Sequence, residues 1–292
     1  MINTMTDYIA ITGFSDAPHP EKLKLLAALK AVLEKNGFHV ITGKTLSERI
    51  PQTPSPELKA RDMAEILSYP NLKFIIDISG GDTANELLLH PENLIFPGRN
   101  TIFTGYSDLT VLLNAFFAAG GSSGVLYQAL HALMDHSGLR LTELIDFLKN
   151  PDSRASLVTP EGRFRKHNRM QGIVIGGNLR CFLKLSGTPF MPNPDGKILV
   201  LESLGGGPER IISGFASLKI LGITGRIAGI VLGTFTELQE KHPGIVVSDL
   251  LAPFIPGDLP VWENPEIGHY HNARGIMIGR EYVFEGSHCF RI

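Results

Sequence analysis

The chain has 292 residues, of which 43% are hydrophobic and 19% are charged, so it can bury a sizeable core, and two domains are the favoured count. Its 27 basic and 29 acidic residues give a formal net charge of -2 without any basic block that could follow a phosphate backbone, which argues against nucleic acid as a partner. The amino terminus has no basic segment before its short apolar run, and no stretch approaches the ~20 apolar residues of a membrane span. We therefore expect a cytoplasmic protein that does not enter a membrane.

Strand-like and helix-like segments alternate through the first half of the chain. Apolar runs predict strands at residues 8–12, 38–42, 72–78 and 101–104, and helical spacing of apolar residues predicts helices at 20–36, 56–68 and 139–149. A proline-rich loop is expected at 49–56. Alternation of this kind predicts a mostly parallel sheet with helices on both faces, whose functional groups lie at the carboxyl ends of the strands.

A pair of glycines, Gly80 and Gly81, follows the third predicted strand and precedes a predicted helix, TANELLLH. Paired glycines at a strand end leave their amide groups unobstructed, so they can bind an anion or a developing oxyanion. A simple tight turn is the commoner explanation for an isolated pair. The spacing is that of neither a dinucleotide fingerprint nor a P-loop, so it does not favour a nucleotide phosphate site.

The fourth predicted strand leads into Gly105, Tyr106, Ser107 and Asp108 and then into an apolar, helix-like stretch. This pattern predicts a strand, a sharp turn and a helix. A small residue ahead of a serine lets the backbone bend tightly, which lifts the hydroxyl clear while the next amides point at the group it attacks. Capping of the helix by Ser107 or Asp108 explains this stretch equally well. Residues elsewhere in the chain must decide between a nucleophile and a cap.

The chain changes character in residues 150–169, which are polar and contain prolines and mixed charge. We interpret this segment as the crossing between an amino-terminal domain of residues 1–165 and a carboxy-terminal domain of residues 166–292. The second half begins with a predicted strand, glycine turn and helix. It continues with predicted strands at 197–201, 227–232 and 260–263 and a helix at 209–221, which indicates a smaller α/β domain.

Two kinds of polar residue stand out in the second half. Glu202 ends an apolar run, where burial of a carboxylate is costly without a partner, and a carboxylate in this position more often lies on a rim that faces solvent. His269 and His271 lie in a loop between glycine and proline turns. No third ligand stands at a recognised spacing, so a single general base with a neighbouring structural histidine is favoured over a metal site. We expect neither a metal nor a cofactor.

Ser107, Glu202 and His269 supply, in this order, the three groups that a hydrolase triad requires. A serine hydroxyl needs an imidazole to accept its proton, and a carboxylate fixes the tautomer of that imidazole and stabilises the imidazolium. The serine motif lacks the G-x-S-x-G pattern, and the acid belongs to the predicted second domain.

Six sequence blocks resemble, in the right order and over nearly the whole chain, the LD-carboxypeptidases, also called murein tetrapeptide carboxypeptidases. The blocks are ISGGDTANELL, TGYSDLTVL, IGGNLRCFLKLSGTP, ILVLES, IAGIVLGTF and ENPEIGHYHN. The resemblance implies a Rossmann-like, parallel-sheet amino-terminal domain, a smaller α/β carboxy-terminal domain, an active site in the cleft between them, and commonly a homodimer.

By this resemblance Ser107 is the nucleophile, Glu202 the orienting acid and His269 the base, while the amide of Asp108 and one from Gly80 or Gly81 form the oxyanion hole. The implied reaction is hydrolysis of an L,D amide bond, which releases a terminal D-amino acid from a murein tetrapeptide through an acyl-enzyme.

The resemblance does not decide which residues recognise the substrate. Asp82 is a candidate because it follows the glycine pair, and the cation for a terminal carboxylate could be Arg210, Arg274 or Lys184. Many members that act on peptidoglycan have an arginine and a tyrosine where this chain has Ser79 and Asp82. A related branch, the microcin C immunity peptidases, cleaves peptidyl or aminoacyl nucleotides and is the alternative. The alternative of another class is a non-catalytic module that binds a small peptide and uses its serine as a helix cap.

Overall fold

The computed structural model describes residues 7–47, 53–94, 101–121, 123–153 and 156–292. The proline-rich loop predicted at 49–56 lies partly outside these ranges, since residues 48–52 are not among them. Within the described residues the strands are β1 (Tyr8–Thr12), β2 (His39–Thr42), β3 (Leu72–Asp77), β4 (Ile102–Gly105), β5 (Gly124–Leu126), β6 (Arg163–Phe164), β7 (Arg169–Asn178), β8 (Ile198–Ser203), β9 (Gly229–Phe235), β10 (Val261–Glu263), β11 (Ile276–Ile278), β12 (Glu281–Glu285) and β13 (His288–Arg291).

The α-helices in the same ranges are α1 (Pro20–Lys35), α2 (Pro56–Ser68), α3 (Thr110–Ala118), α4 (His131–Met134), α5 (Leu139–Lys149), α6 (Leu179–Leu183), α7 (Pro208–Ile220), α8 (Thr236–Lys241) and α9 (Val247–Leu251). Short 3-10 helices lie at Lys44–Leu46, Ala84–Leu89, Pro91–Asn93, Ser107–Leu109, Ser156–Val158 and Ala252–Phe254. None of these helices is long and apolar enough to span a membrane.

The first sheet has the strand order β11-β5-β4-β3-β1-β2. Its strands are parallel except β11, which runs antiparallel to β5. Strands β3 and β4 are neighbours, with Ile76 level with Thr104, and they end at Asp77 and Gly105. The loops that follow them therefore leave the same edge of the sheet, which brings the glycine pair beside the serine turn.

The second sheet has the strand order β13-β12-β7-β8-β9-β10-β6. Strands β7 to β10 run parallel, and β6, β12 and β13 run antiparallel to their neighbours. Glu202 lies level with Asn178 of β7, so both are delivered to one edge of this sheet. The mixed α/β fold with two sheets confirms the predicted fold class.

Most of the predicted elements are confirmed to within a few residues, and one local prediction is wrong. The helix predicted in TANELLLH is present as a 3-10 helix, Ala84–Leu89. Gly176 and Gly177 belong to β7 and do not form a turn. Both glycines have positive φ, of 98° and 133°, and a Cβ on Gly177 would lie 2.6 Å from Thr110 Oγ1. Glycine is needed there because β7 lies close against α3.

Helix α3, which follows the serine turn, is tied to β7 by side-chain hydrogen bonds. Asn114 donates from Nδ2 to the carbonyl of Gly176 at 2.8 Å and accepts from its amide at 2.8 Å. Thr110 Oγ1 accepts from the amide of Asn178 at 3.0 Å. These bonds fix the serine turn relative to the second sheet. The domain boundary near residue 165 stays a prediction, and β11 joins the first sheet although it comes from the end of the chain.

Candidate active site

The turn at Ser107 is held in a conformation that L-amino acids rarely adopt. Ser107 has a φ of 55°, in the left-handed region, and is the first residue of the 3-10 helix Ser107–Leu109. A Cβ on Gly105 would lie 2.8 Å from the Cβ of Leu109, so a larger residue would open the turn. Backbone strain of this kind costs of order 1–3 kcal/mol and concentrates at functional sites. The turn has the geometry of a nucleophile elbow.

The structure argues against Ser107 as a helix cap. Helix α3 begins after Leu109, which occupies its cap position, so neither Ser107 nor Asp108 is the N-cap. Within the described residues, the Ser107 hydroxyl makes no hydrogen bond. Ser107 instead lines a cavity of about 320 Å³ together with Gly81, Asp82, Asn178 and other residues, namely Arg180, Ser203, Leu204, Gly205 and Arg210.

Glu202 and His269 form a buried pair in the second half of the chain. The imidazole Nδ1 lies 2.7 Å from Glu202 Oε2, and each side chain is 2% exposed. Glu202 is thus buried within β8 and does not lie on a rim that faces solvent. In the described part of the chain the buried Nε2 of His269 has no hydrogen-bond partner. With Nδ1 bonded to a carboxylate, Nε2 is the nitrogen left to accept a proton.

The loop before His269 depends on a glycine. Gly268 has a φ of 144°, and a Cβ there would overlap Thr234 Oγ1. The close approach to β9 turns the chain so that the His269 ring packs on Tyr106, with the ring centroids 4.7 Å apart. Since Tyr106 directly precedes Ser107, this contact joins the serine turn to the histidine. Ser107 and His269 share no hydrogen bond within the described residues, and such bonds often tighten only when substrate binds.

The loop after β3 that contains Gly80 and Gly81, called the glycine loop below, is held in place by hydrogen bonds to Asp77. This fully buried carboxylate accepts hydrogen bonds from the amide of Phe14 at 2.6 Å and from the amide and hydroxyl of Ser79 at 2.7 and 2.6 Å. Burial raises the pKa of Asp77 to about 6. In the described structure neither the amide of Gly80 nor that of Gly81 donates a hydrogen bond to protein, so both are available to an anion.

Asp108 is a structural anchor whose side chain is fully buried. Its carboxylate accepts from the Ser15 hydroxyl at 2.7 Å, from the amide of Ala84 at 2.8 Å, and from Lys184 Nζ at 2.5 Å. These partners come from three separate segments of the chain. The side chain of Asp108 is therefore fully enclosed by protein groups, and it fixes the segment after the glycine pair relative to the serine turn.

The cations proposed from the sequence differ in how far they are already paired. Arg274 donates to Glu143 and to Glu266, each at 3.3 Å, and it is not among the residues that line the Ser107 cavity. Lys184 is held by Asp108 and by the carbonyl of Asp82. Arg210 lines the Ser107 cavity and, within the described residues, has no ion-pair partner.

The ion pairs of Asp82 argue against it as an independent substrate-binding group. Its carboxylate is paired with Arg180, which also donates to the carbonyl of Gly81 at 3.1 Å. Lys184 Nζ lies 3.7 Å from the same carboxylate. Arg180 of α6 and Lys184, which directly follows α6, together neutralise the charge of Asp82 at the edge of the cavity.

Three residues near the site were not found from the sequence: Tyr106, His131 and Lys22. Tyr106 packs between the rings of His269 and His131, the second at 5.4 Å, and burial, followed by the charge of Glu202, raises its pKa to about 12. Burial lowers the pKa of His131 to about 4, so this ring is neutral at pH 7. Lys22 of α1 places its ammonium 5.8 Å from the centre of the Tyr106 ring. Only the position of Tyr106 beside the serine could have signalled a role.

Two protein-family models match the chain and together cover most of it. The LD-carboxypeptidase N-terminal domain matches residues 9–128, and the LD-carboxypeptidase C-terminal domain matches residues 171–283. The first match contains the serine turn and the glycine pair, and the second contains Glu202 and His269.

Relatives and solved structures agree with this match. The murein tetrapeptide carboxypeptidase of Pseudomonas aeruginosa is 24% identical, over 90% of this chain and 89% of the relative. The microcin C7 self-immunity protein MccF of Escherichia coli is 23% identical, over 85% of this chain and 81% of the relative.

Two solved structures share the fold along nearly the whole chain. A structure of MccF in complex with glutamyl sulfamoyl guanosine aligns with a TM-score of 0.83 and 19% identity, over 98% of this chain and 96% of the other. A muramoyltetrapeptide carboxypeptidase from Oxalobacter formigenes aligns with a TM-score of 0.77 and 22% identity, over 97% of each chain. The resemblance drawn from six sequence blocks is confirmed, and the chain belongs to the LD-carboxypeptidase family.

Proposed function

We propose that this protein is a serine carboxypeptidase that releases a terminal D-amino acid from an L,D-linked, peptidoglycan-derived tetrapeptide. The observation that carries the proposal is the buried Glu202–His269 pair: within the described residues its Nε2 has no partner, and its imidazole packs on Tyr106, next to the strained serine turn. A histidine bonded to a carboxylate on one nitrogen and unpaired on the other is the arrangement that activates a serine hydroxyl.

The reaction follows from these groups. Ser107 attacks the scissile carbonyl as His269 Nε2 takes the hydroxyl proton, and Glu202 stabilises the imidazolium through Nδ1. The negative oxygen of the tetrahedral intermediate is stabilised by the amides of Asp108 and of Gly80 or Gly81. His269 then returns the proton to the leaving nitrogen, which releases the terminal residue and leaves an acyl-enzyme on Ser107. Water activated by His269 hydrolyses this ester and restores the serine.

The names of the relatives support a murein-derived substrate. The Pseudomonas aeruginosa relative is named for the murein tetrapeptide, and the Oxalobacter formigenes structure for a muramoyltetrapeptide. The cavity at Ser107 is lined by Arg210, which has no ion-pair partner within the described residues, and this suits a substrate that carries carboxylates.

Cleavage of an aminoacyl nucleotide is the second candidate. It is favoured by the higher TM-score of 0.83 with MccF, whose structure holds glutamyl sulfamoyl guanosine. Both candidates use the same Ser107, Glu202 and His269, so the substrate alone distinguishes them.

The substrate test compares two candidate substrates in separate incubations. The protein is incubated with a murein tetrapeptide and, separately, with an aminoacyl sulfamoyl adenylate, and mass spectrometry records which one loses its terminal group. Release of D-alanine from the tetrapeptide supports the proposal. Cleavage of only the nucleotide would overturn the proposed substrate and leave the nucleophile assignment in place.

A chemical test separates an enzyme from a non-catalytic peptide-binding module. A fluorophosphonate reagent should label the wild type and Ser203→Ala but not Ser107→Ala. Ser203 is the matched control because it lines the same cavity and its hydroxyl donates to the carbonyl of Gly205 at 2.7 Å. No labelling of folded wild type would favour the module, and turnover that stops in excess chelator would favour a metal hydrolase.

We further propose a cytoplasmic homodimer, as the family resemblance and the sequence imply. Sedimentation equilibrium of the purified chain tests the dimer, and fractionation of cells that produce it tests the location. A monomer at micromolar concentration would contradict the first part.

A further inference from the structure

We propose that Lys22 binds the terminal carboxylate of the substrate, on the leaving-group side of Ser107. The assignment rests on the proposed carboxypeptidase function and adds a residue that sets its specificity for a free chain end. Such an enzyme needs a cation that tells a terminal carboxylate from an internal peptide bond, since the two differ in charge.

The ion pairs that Lys184 and Arg274 already form argue against either residue as the cation that binds the terminal carboxylate. Lys184 donates to the buried Asp108 carboxylate, and Arg274 is shared between Glu143 and Glu266. A guanidinium or ammonium that already has carboxylate partners gains little from another one. Arg210 is unpaired in the described part of the chain, but it lines a cavity whose lining includes neither Tyr106 nor Lys22.

Lys22 lies against the two features that hold the reacting carbonyl. Its ammonium donates to the carbonyl of Ser79 at 3.3 Å and lies 3.8 Å from the position that a Cβ on Gly80 would take. It also lies 5.8 Å from the centre of the Tyr106 ring. Lys22 therefore spans the space between the glycine loop and the residue that precedes the nucleophile.

The ammonium of Lys22 has donors to spare. An ammonium offers three, and the described structure records one hydrogen bond, to Ser79 O, and no carboxylate within 4.0 Å. The residue is half-buried, and burial lowers its pKa, an effect that Asp77 opposes. A partly desolvated ammonium with no ion-pair partner binds an incoming carboxylate more strongly than a fully hydrated one.

The chemistry of the reaction places the leaving group on this side. His269 must hand its proton to the leaving nitrogen, so the released residue lies beside the imidazole. The His269 ring and the Lys22 ammonium contact the same Tyr106 ring, at 4.7 and 5.8 Å from its centre. One residue spans only about 3.5 Å, so the carboxylate of a single released residue must meet its cation close to the glycine loop. Lys22 meets this requirement, and the Ser107 cavity with Arg210 is left to the acyl portion.

The test compares two substrates that differ only at the chain end: an L,D-tetrapeptide with a free carboxylate and the same peptide as a primary amide. kcat/KM is measured for both with wild type, Lys22→Met, Lys22→Arg, Lys24→Met and Arg210→Met. Lys24 is the matched control because it is an exposed lysine of the same helix. The ratio of the two rates within one variant is unaffected by a smaller folded fraction.

Wild type should prefer the free acid by about ten- to a hundredfold, as expected for one charged hydrogen bond. Lys22→Met should abolish the preference by slowing only the acid, Lys22→Arg should retain part of it, and Lys24→Met should retain all of it. Arg210→Met should slow both substrates by the same factor.

Three results would overturn the assignment. Equal losses on acid and amide in Lys22→Met would show that Lys22 only supports the glycine loop, through its hydrogen bond to the carbonyl of Ser79. Loss of the preference in Arg210→Met instead would assign the carboxylate to Arg210. Hydrolysis of neither substrate by wild type would overturn the proposed function itself, and the role of Lys22 with it, which distinguishes that failure from the first two.

Discussion

Lys184 of the second half of the chain donates a hydrogen bond of 2.5 Å to the fully buried carboxylate of Asp108, the residue after the proposed nucleophile. The same carboxylate accepts from Ser15 and from Ala84. A single buried charge thus holds together the serine turn, the loop after β1, the segment after the glycine pair and the end of α6. The amides proposed for the oxyanion hole are positioned by a contact between segments that are distant in the sequence.

Removing the cation of this pair should be severe. Lys184→Met leaves a buried carboxylate without its counter-ion, for which we expect a loss of about 3 kcal/mol or more in the free energy of unfolding, measured by urea denaturation. Lys241→Met is the control, because Lys241 forms an exposed pair with Glu237 that should contribute nothing measurable. Similar midpoints for the two variants would contradict the role of the buried pair.

Glu202→Gln should leave the protein folded and nearly inactive. The glutamine amide can donate to Nδ1 of His269 and so favour the wrong tautomer, and it cannot stabilise the imidazolium. We expect a fall in kcat of about a thousand- to ten-thousandfold, by analogy with the loss of the acid in other triads. The measurement is turnover of the tetrapeptide, with circular dichroism as the check on folding. Activity within tenfold of wild type would remove Glu202 from the mechanism.

Alanine at Gly81 should disrupt the glycine loop, which is proposed to supply an oxyanion donor, far more than alanine at Gly80. Gly81 has a φ of 129°, and a Cβ there would overlap the Asp16 carboxylate. Within the described residues, the atom nearest to a Cβ on Gly80 is Lys22 Nζ at 3.8 Å. Loss of an oxyanion donor costs about a hundred- to a thousandfold in kcat. Gly81→Ala should reach that range and Gly80→Ala should lose clearly less. Equal losses would point to a cause other than backbone strain.

The Tyr106 ring should matter through its shape and not through its hydroxyl. It packs against His269 at 4.7 Å and His131 at 5.4 Å, so Tyr106→Ala should let the imidazole move and lower kcat by about a hundredfold. Tyr106→Phe keeps the ring and should stay within a few-fold of wild type. If the phenylalanine variant is as slow as the alanine variant, the hydroxyl itself takes part in the reaction.

Stability should fall as the pH rises from about 4 to about 6, because of Asp77. Burial raises the pKa of this carboxyl from 3.8 to about 6 in the folded state, so in this window the folded protein holds a proton that the unfolded chain has lost. The contribution is fully present below the unfolded value and is lost once the pH passes the folded value. The free energy of unfolding of wild type minus that of Asp77→Asn, measured across this window, should therefore decrease with pH. A difference that is flat or that rises would contradict the raised pKa.

Local patterns were sufficient for most of the secondary structure. Strand β1 and helices α2 and α5 have the predicted bounds, because each carries a clear apolar period and punctuation by proline or glycine. The helix predicted after the glycine pair is a 3-10 helix, Ala84–Leu89, whose start is set by the hydrogen bond from the amide of Ala84 to Asp108. Strand β11 escaped prediction because its three residues gain their role only by pairing with β5.

In the candidate site, too, local patterns were sufficient for some residues and not for others. Gly105 with Ser107, Glu202 at the end of an apolar run and His269 in a glycine turn could be picked out from the chain, because each lies in a local pattern with chemical meaning. The side chain of Lys22 could not, since it looks like the other lysines of α1.

The sequence by itself determined the family, the alternation of strands and helices, and the three side chains proposed for catalysis. Only the tertiary structure decided that Glu202 is buried against His269, that Lys184 and Arg274 are already paired, and that Lys22 has no carboxylate partner among the described residues. The reason is physical: the state of a charged group depends on distances of a few ångströms to segments far away along the chain, and no local pattern records those distances.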